Sequence, residues 1–364
     1  MTDSKEISQL RRQILLGAAG ASLAGYNLPT WAQGASQTLK ISHQFPSGTD
    51  FRDRLCKKFA DEVSKRTKGA LKFDVYPQSS LMKTNAQFSA IRKGALDFTF
   101  YPLPYAGGEV VEANIGLMPG LVTSYEQGAK WKTAEVGKLL NKVMESKGVI
   151  IVSWVWQAGG VATRSGPIIV PDDIKGVKVR GGSREFDAML KAAGGSVMTS
   201  IPSNEVYQAM QTGSLDAAYT SSASLMSFKL AELSKNFTSA KNKSYWYMLE
   251  PLMMSKMVFD ALPANQREII MAVGADMEKF GTEQAKLDDI DASIAFAKAG
   301  NKVFELDATV VEKWKAVAKP SAWKEFSERN ETCAAMMASA VKISGGCLSS
   351  SKWLTKACQR SINA

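Results

Sequence analysis

Five short elements follow one another from Gly176 to Ser222, strand, helix, strand, helix, strand, and their connections are too short for anything except a compact parallel unit. The first strand, Val177-Lys178-Val179, runs out through Arg180 into Gly181-Gly182. A helix with Phe186, Met189, Leu190 and Ala193 on one face stops at Gly194-Gly195, and a second strand covers Ser196 to Thr199. Pro202-Ser203 opens the next helix, with Ser203 as its expected N-cap and Glu205 in the positive first turn; Gly213 ends it, and Leu215 to Tyr219 is the third strand. All three strands therefore run the same way. In such a sheet ligands lie beyond the carboxyl ends of the strands, and both Arg180 and the row Tyr219-Thr220-Ser221-Ser222 fall on that edge.

A similar unit lies earlier in the chain. Leu39 to His43 reads as a strand, Asp50 to Lys68 as a helix striped by Phe51, Leu55, Phe59 and Val63, and Leu71 to Tyr76 as a second strand. A further helix, about Thr84 to Lys93, ends in Gly94-Ala95-Leu96-Asp97-Phe98, as the later unit ends in Gly213-Ser214-Leu215-Asp216-Ala217. Two units of similar topology predict an α/β protein of two lobes facing each other, with a small-molecule cleft between them. A length of 364 residues fits about two domains.

The N-terminus has its own pattern. Arg11-Arg12-Gln13-Ile14-Leu15 leads into a short run rich in Gly and Ala, closed by Pro29 and Thr30-Trp31-Ala32. Residues 1–32 therefore read as an export signal of the twin-arginine type, cleaved near Ala32, and the mature chain is expected free in the periplasm, as a monomer without stable membrane insertion. The formal charge of +10 falls by only one when that segment leaves, because it holds three basic and two acidic side chains. The lysines are dispersed, with no basic block or aromatic-interleaved basic strand, so the charge favours anionic solutes over nucleic acid. Cys56, Cys333, Cys347 and Cys358 are an even set in an oxidising compartment and are disulfide candidates with three possible pairings, of which Cys347 to Cys358 closes the shortest loop of the tail. Their spacing matches no zinc or redox motif.

Catalysis has no visible apparatus. His43 is the sole histidine, and nothing near it has the spacing of a nucleophile elbow or a metal ligand, so it reads as a wall or structural residue. Gly107-Gly108, Gly159-Gly160 and Gly181-Gly182 lack the spacing and the lysine of a phosphate loop. Asp97 and Asp216 hold equivalent places at strand starts, which points to structure and not to an acid/base pair. No cofactor and no metal is expected.

The segments Ile174-Lys175-Gly176-Val177-Lys178-Val179-Arg180 and Pro202-Ser203-Asn204-Glu205-Val206-Tyr207-Gln208-Ala209-Met210-Gln211-Thr212-Gly213-Ser214-Leu215-Asp216 together carry a resemblance. The chain resembles the DctP-type solute-binding subunits of TRAP transporters, the tripartite ATP-independent periplasmic carriers, from about Thr38 to about Asn330. The resemblance implies a type II-like periplasmic binding protein fold, with discontinuous lobes joined by hinge strands and a long bridging helix. It also implies a receptor, not an enzyme, that closes over an organic acid and hands it to a membrane permease. By that resemblance Arg180 forms a two-pronged salt bridge with the ligand carboxylate, which suits a planar guanidinium in a closing cleft. Two departures remove polar grips: Gly159 stands where many members carry a second arginine, and Thr220 where an asparagine is common. They weigh against a sugar acid or a small C4-dicarboxylate held by several charged groups.

Phe45, Tyr101, Tyr105, Trp154, Trp156, Tyr219 and the cluster Tyr245-Trp246-Tyr247 are placed to face the cleft, which favours a carboxylate with an apolar or aromatic body, or a 2-oxo or 2-hydroxy acid. The candidate ligand contacts are Arg180, Thr220, Trp156, Gln157, Phe45, Tyr101, Tyr219 and Trp246, with Arg184 one turn beyond Arg180. The lobes are expected over 33–156 with 246–285 and over 157–245 with 286–330, crossing near Trp156 and Tyr245, and 331–364 as a cysteine-containing extension. Pro263 to Gly300 reads as one helix of roughly 55 Å. A receptor of another transporter class and a periplasmic enzyme are the alternative readings.

Overall fold

Runs of β-branched and aromatic residues build two separate sheets, and the chain passes between them at two adjacent points and a third time along a long helix. The computed structural model describes residues 36–199 and 201–345. The export signal expected over 1–32, its cleavage near Ala32, and Cys347 and Cys358 lie outside the described residues. The strands in chain order are β1 Gln37–Ser42, β2 Leu71–Tyr76, β3 Phe98–Phe100, β4 Val149–Ser153, β5 Trp156–Thr163, β6 Lys178–Arg180, β7 Ser196–Val197, β8 Ala217–Ser221, β9 Asn236–Ser239, β10 Tyr247–Leu249, β11 Leu252–Ser255 and β12 Lys302–Glu305. The first sheet has the order β2-β1-β3-β11-β4; the second has β12-β9-β5-β8-β6-β7, with β10 added beside β5. The molecule is a two-lobed α/β protein, one sheet to each lobe.

The three strands read from Gly176 onward are parallel, Val179 pairing with both Val197 and Ala217. The helix between the first two, Arg184–Ala192, is capped by the Ser183 hydroxyl accepting from Phe186 N–H at 3.0 Å. Ser203 does not cap its helix. Pro202 instead leads into a 3₁₀ turn, Ser203–Glu205, and the α-helix starts only at Val206, because the fixed φ of proline feeds directly into a tight turn. The near-repeat has a physical counterpart. Asp97 Oδ2 accepts from Lys40 N–H at 2.7 Å and Asp216 Oδ2 accepts from Lys178 N–H at 3.3 Å, so each aspartate ties its own strand start to the backbone of the parallel neighbour.

The outward crossing is Trp154-Val155, between β4 and β5. The return is Glu250-Pro251, not Tyr245-Trp246 as expected, because Tyr247–Leu249 pairs antiparallel with Trp156–Ala158 and so keeps the chain on the second sheet for longer. The two crossings touch, Glu250 N–H donating to Val155 O at 2.8 Å.

One unbroken helix, Ala264–Lys298, lies across both crossings. Its 35 residues extend roughly 50 Å at 1.5 Å per residue, and Gly281 does not interrupt it. Glycines let it approach closely. A Cβ at Gly274 would stand 2.2 Å from Val152 O, and one at Gly281 would stand 2.9 Å from the Val155 side chain. No helix among the described residues is long and apolar enough to cross a membrane.

The C-terminal helix Glu331–Ile343 buries Cys333, Met336, Met337, Ala340 and Val341 against the helix Glu135–Ser146, with Ser339 Oγ accepting from Val136 N–H at 3.0 Å. Apolar packing holds it. Among the described residues Cys56 and Cys333 are each buried and not bonded to one another, and burial pushes the Cys333 thiol up to about 12.

Gly274→Ala tests the helix crossing. Helix propensity alone would favour alanine by about 1 kcal/mol, whereas overpacking against a carbonyl costs about 1–3 kcal/mol. Urea unfolding is expected to show a net loss of stability; a net gain would mean the helix does not pass that close.

Candidate ligand-binding site

Arg180 ends β6 with only 3% of its surface exposed, so its charge sits inside the protein. Burying a cation without compensation is costly, and the fold compensates it with neutral acceptors. Nε donates to Ile201 O at 2.8 Å, Nη1 to Tyr219 O at 2.8 Å, and Nη2 to the Tyr105 hydroxyl at 2.5 Å. No carboxylate among the described residues lies within ion-pair distance of it. Three of the five guanidinium N–H groups are thus engaged, and one hydrogen on each terminal nitrogen is left over, with no ion pair to it among the described residues. Gly182 makes the pose possible: its φ is +95°, and a Cβ there would stand 2.8 Å from Arg180 Nη1.

The guanidinium opens on a small cavity lined by Ser203, Thr220, Ser221, Ser224, Trp246 and Met248. This cavity holds only about 10 Å³. Beside it lies a second space of about 560 Å³, lined by Asn85 and Asn114 from one lobe and by Arg184, Asp187 and Lys191 from the other. Tyr105 and Gly182 line both. Asp187 accepts from Gly181 N–H at 3.0 Å, and burial raises its carboxyl to about 7 against the opposing pull of Arg180.

A second buried arginine does a different job. Arg52, at the start of the helix Phe51–Arg66, is fully buried, with its guanidinium carbon 3.7 Å from the centroid of the Phe45 ring. It pairs with Asp50 at 2.6 Å and Glu250 at 3.2 Å. Its Nη1 also donates to Ser224 Oγ at 3.0 Å and Ser221 Oγ at 3.3 Å, across to the other lobe, and Ser227 Oγ donates to Asp50 Oδ2 at 2.7 Å. Burial alone would raise both acids. The nearby guanidinium wins at Asp50, holding it below the ordinary carboxylate range, and loses at Glu250, which reaches about 7. Arg52 is thus neutralised by protein groups, and Arg180 is not.

The structure sorts the expected contacts by strand parity. Arg180, Thr220 and Trp246 come together at the cavity, and Tyr219 joins them through its carbonyl while its ring packs on Phe186, Tyr245 and Trp314. Trp156 is not with them. It points to the opposite face of β5, edge-on to Trp131 at 5.0 Å, where it lines a separate space beside the long helix. Gln157 is buried with no partner for Nε2 and lines none of these spaces. Phe45 underlies Arg52, and Tyr101 stacks on Phe88; both belong to the core and not to the cavity wall. Arg184 lines the larger space at a distance from the cavity wall. His43 is a strut: Nδ1 accepts from Phe45 N–H at 3.2 Å, and Nε2 lies 3.3 Å from Asp53. At Gly159, where the sequence departs from a second arginine, a Cβ would meet Trp246 at 2.3 Å; the indole fills that place. Sequence reasoning missed Arg52 altogether and left Tyr105 out of the contact set. A cation in a helix first turn reads as surface, and Tyr105 reaches Arg180 across 75 residues.

Arg52→Ala would strand two buried acids, and urea unfolding is expected to lose about 3–5 kcal/mol, clearly more than for Arg180→Ala, which strands none. Equal losses would contradict the division of labour between the two arginines.

Comparison with known proteins agrees with this architecture. The profile of the bacterial extracellular solute-binding protein family 7, DctP, matches residues 41–330. A solute-binding protein of Albidiferax ferrireducens is 56% identical over 334 residues, covering 90% of this chain and 98% of its own. The C4-dicarboxylate-binding periplasmic protein DctP of Rhodobacter capsulatus is 29% identical over 340 residues, covering 90% and 98%. A crystal structure of a TRAP periplasmic solute binding protein from Rhodoferax ferrireducens with bound malonate superposes with a TM-score of 0.83 at 57% identity, covering 84% of this chain and 98% of its own. With the fold, the strand-end arginine and these relatives in agreement, the chain belongs to the family 7 extracellular solute-binding proteins, the DctP-type periplasmic subunits of TRAP transporters, which are receptors and not enzymes.

Proposed function

We propose that this receptor captures a compact organic acid, places its carboxylate on Arg180, and delivers it to a TRAP membrane permease after the lobes close. One observation carries the reading: a buried guanidinium with which no acid among the described residues forms an ion pair. A carboxylate supplies that partner, with two acceptor oxygens for the two spare hydrogens. The relatives support the class. The 57%-identical structure holds malonate, and the 29%-identical protein is named for C4-dicarboxylates.

Within the acids, the lining favours a short body. Hydroxyls of Ser203, Thr220, Ser221 and Ser224 surround the cavity, and these suit a second carboxylate or a 2-oxo or 2-hydroxy oxygen. Aryl acids fit less well, since the rings of Tyr219, Tyr245, Phe186 and Trp314 pack on one another and leave Trp246 as the aromatic wall. Residues 1–32, read as a twin-arginine signal cleaved near Ala32, account for delivery to the periplasm.

A thermal-shift and calorimetric panel of carboxylates tests the reading. At least one short acid is expected to stabilise the wild type, and Arg180→Ala to bind it about 2–5 kcal/mol more weakly while remaining folded. Stabilisation by no carboxylate, or equal binding by the variant, would sink the proposal. Asp187 adds a pH signature. It is protonated below about 7 and carries a competing negative charge near Arg180 above it, so affinity should rise as pH falls from 8 to 6. Asp187→Asn should flatten that dependence; an unchanged slope would exclude the carboxyl as its source.

A further inference from the structure

We infer that Tyr105 is the gate that sets how long an acid this receptor accepts, an inference that rests on the carboxylate reading above. The two spaces at the cleft differ more than fifty-fold in size, about 10 Å³ at Arg180 and about 560 Å³ outside, and only the Tyr105 side chain and Gly182 border both. Gly182 has no side chain. The Tyr105 ring is therefore the partition.

The ring is fixed on both sides. Behind it, Tyr101 meets it edge-on at 5.7 Å and is itself stacked on Phe88, so it cannot fold back into its own lobe. In front, Tyr105 Oη accepts from Arg180 Nη2 at 2.5 Å and from Ser203 N–H at 2.9 Å, both across the cleft. The 3₁₀ turn that carries it, Leu103–Gly108, is pressed onto the next turn, since a Cβ at Gly107 would stand 2.1 Å from the Asn114 side chain. The partition thus moves with its lobe and not as a loop. With two donors already on its oxygen, the hydroxyl can still donate its own hydrogen, and among the described residues it donates to none. A carboxylate on Arg180 lies within the same polar cluster and supplies that acceptor.

Two consequences follow from this geometry. The chamber of about 10 Å³ has room for about one water, so a short acid must widen it between Arg180 and the serine and threonine hydroxyls; one that does so without crossing the partition lets Tyr105 regain both cross-cleft hydrogen bonds when the lobes meet, and those bonds then oppose escape. An acid that extends into the outer space must hold the ring away from Ser203 and Arg180, losing both bonds. Tyr105 thereby rejects long acids by blocking closure, although the outer space is large enough to hold them.

The test compares malonate, pyruvate and succinate with suberate and phenylpyruvate, by calorimetry and stopped-flow, on wild type, Arg180→Ala, Tyr105→Phe and Tyr105→Ala. Tyr105→Phe keeps the partition and loses the clasp: the best short acid is expected to bind about tenfold more weakly, through faster release, with the short-to-long preference nearly unchanged. Tyr105→Ala joins the two spaces: the preference for short over long acids should fall by about tenfold or more. If Tyr105→Ala does not fold, Tyr105→Val is read by the same ratio. Short acids binding to wild type but not to Arg180→Ala, with the preference unaltered in Tyr105→Ala or Tyr105→Val, would overturn the gate and leave the carboxylate reading standing. Unchanged release from Tyr105→Phe would overturn the clasp. Failure of every acid to bind wild type would overturn both.

Discussion

A guanidinium held inside a protein by carbonyl oxygens and a phenol, with no acid among the described residues within ion-pair distance, is the condition on which this architecture turns. Carbonyl acceptors satisfy hydrogen bonds and do nothing to cancel charge, so Arg180 is fixed in place yet still seeks an anion. Keeping it so requires a strand that ends where the sheet opens, a glycine, Gly182, over which the side chain can lie, and a neighbouring strand that offers Tyr219 O. Each is a backbone property of the parallel unit. The fold supplies the cation's position, and the cleft supplies the exclusion of water that gives a charge pair its strength.

Arg52 clarifies the point by contrast. It is as deeply buried and also spans the lobes, yet two carboxylates and two serine hydroxyls surround it, so it contributes cohesion near the crossings instead of affinity. Two arginines of equal burial thus differ in role through the charge of their partners alone. Trp246 over Gly159 completes the setting: where a longer side chain could have added a second cation, an indole closes the wall, and the cavity is lined by one cation, Arg180, beside serine and threonine side chains.

Much of this was legible from sequence because it is local. The order of strands and helices from Gly176 to Ser222, the stop at Gly213 and the equivalence of Asp97 and Asp216 depend on neighbours within a few residues. Arg180 was readable for the same reason, as a cation at a strand end. What escaped depends on distance or on parity. Tyr105 is 75 residues from Arg180, and Arg52 meets Glu250 across 198. Trp156 was placed in the cleft by its aromatic character, although strict alternation puts it on the opposite face of β5 from Gln157 and Gly159, and Gly159 is the position that touches Trp246. Ser203 was read as a cap from its residue type, when the proline before it had already committed the chain to a tighter turn. The cysteines were paired by compartment, whereas Cys56 and Cys333 are separated into different parts of the core.

The paired crossings and the helix laid over them carry a mechanical implication. Trp154-Val155 and Glu250-Pro251 run side by side, linked by one backbone hydrogen bond, while Ala264–Lys298 contacts strands of both sheets and presses through its two glycines on Val152 of β4 and on Val155 at the crossing. Sliding of one lobe past the other would drag a rigid rod through a close-packed groove, whereas twisting at the crossings needs only a few backbone torsions to change. The permitted motion is therefore close to a single angle. Open and closed forms then differ along one coordinate, much as a latch differs by whether its two jaws have met.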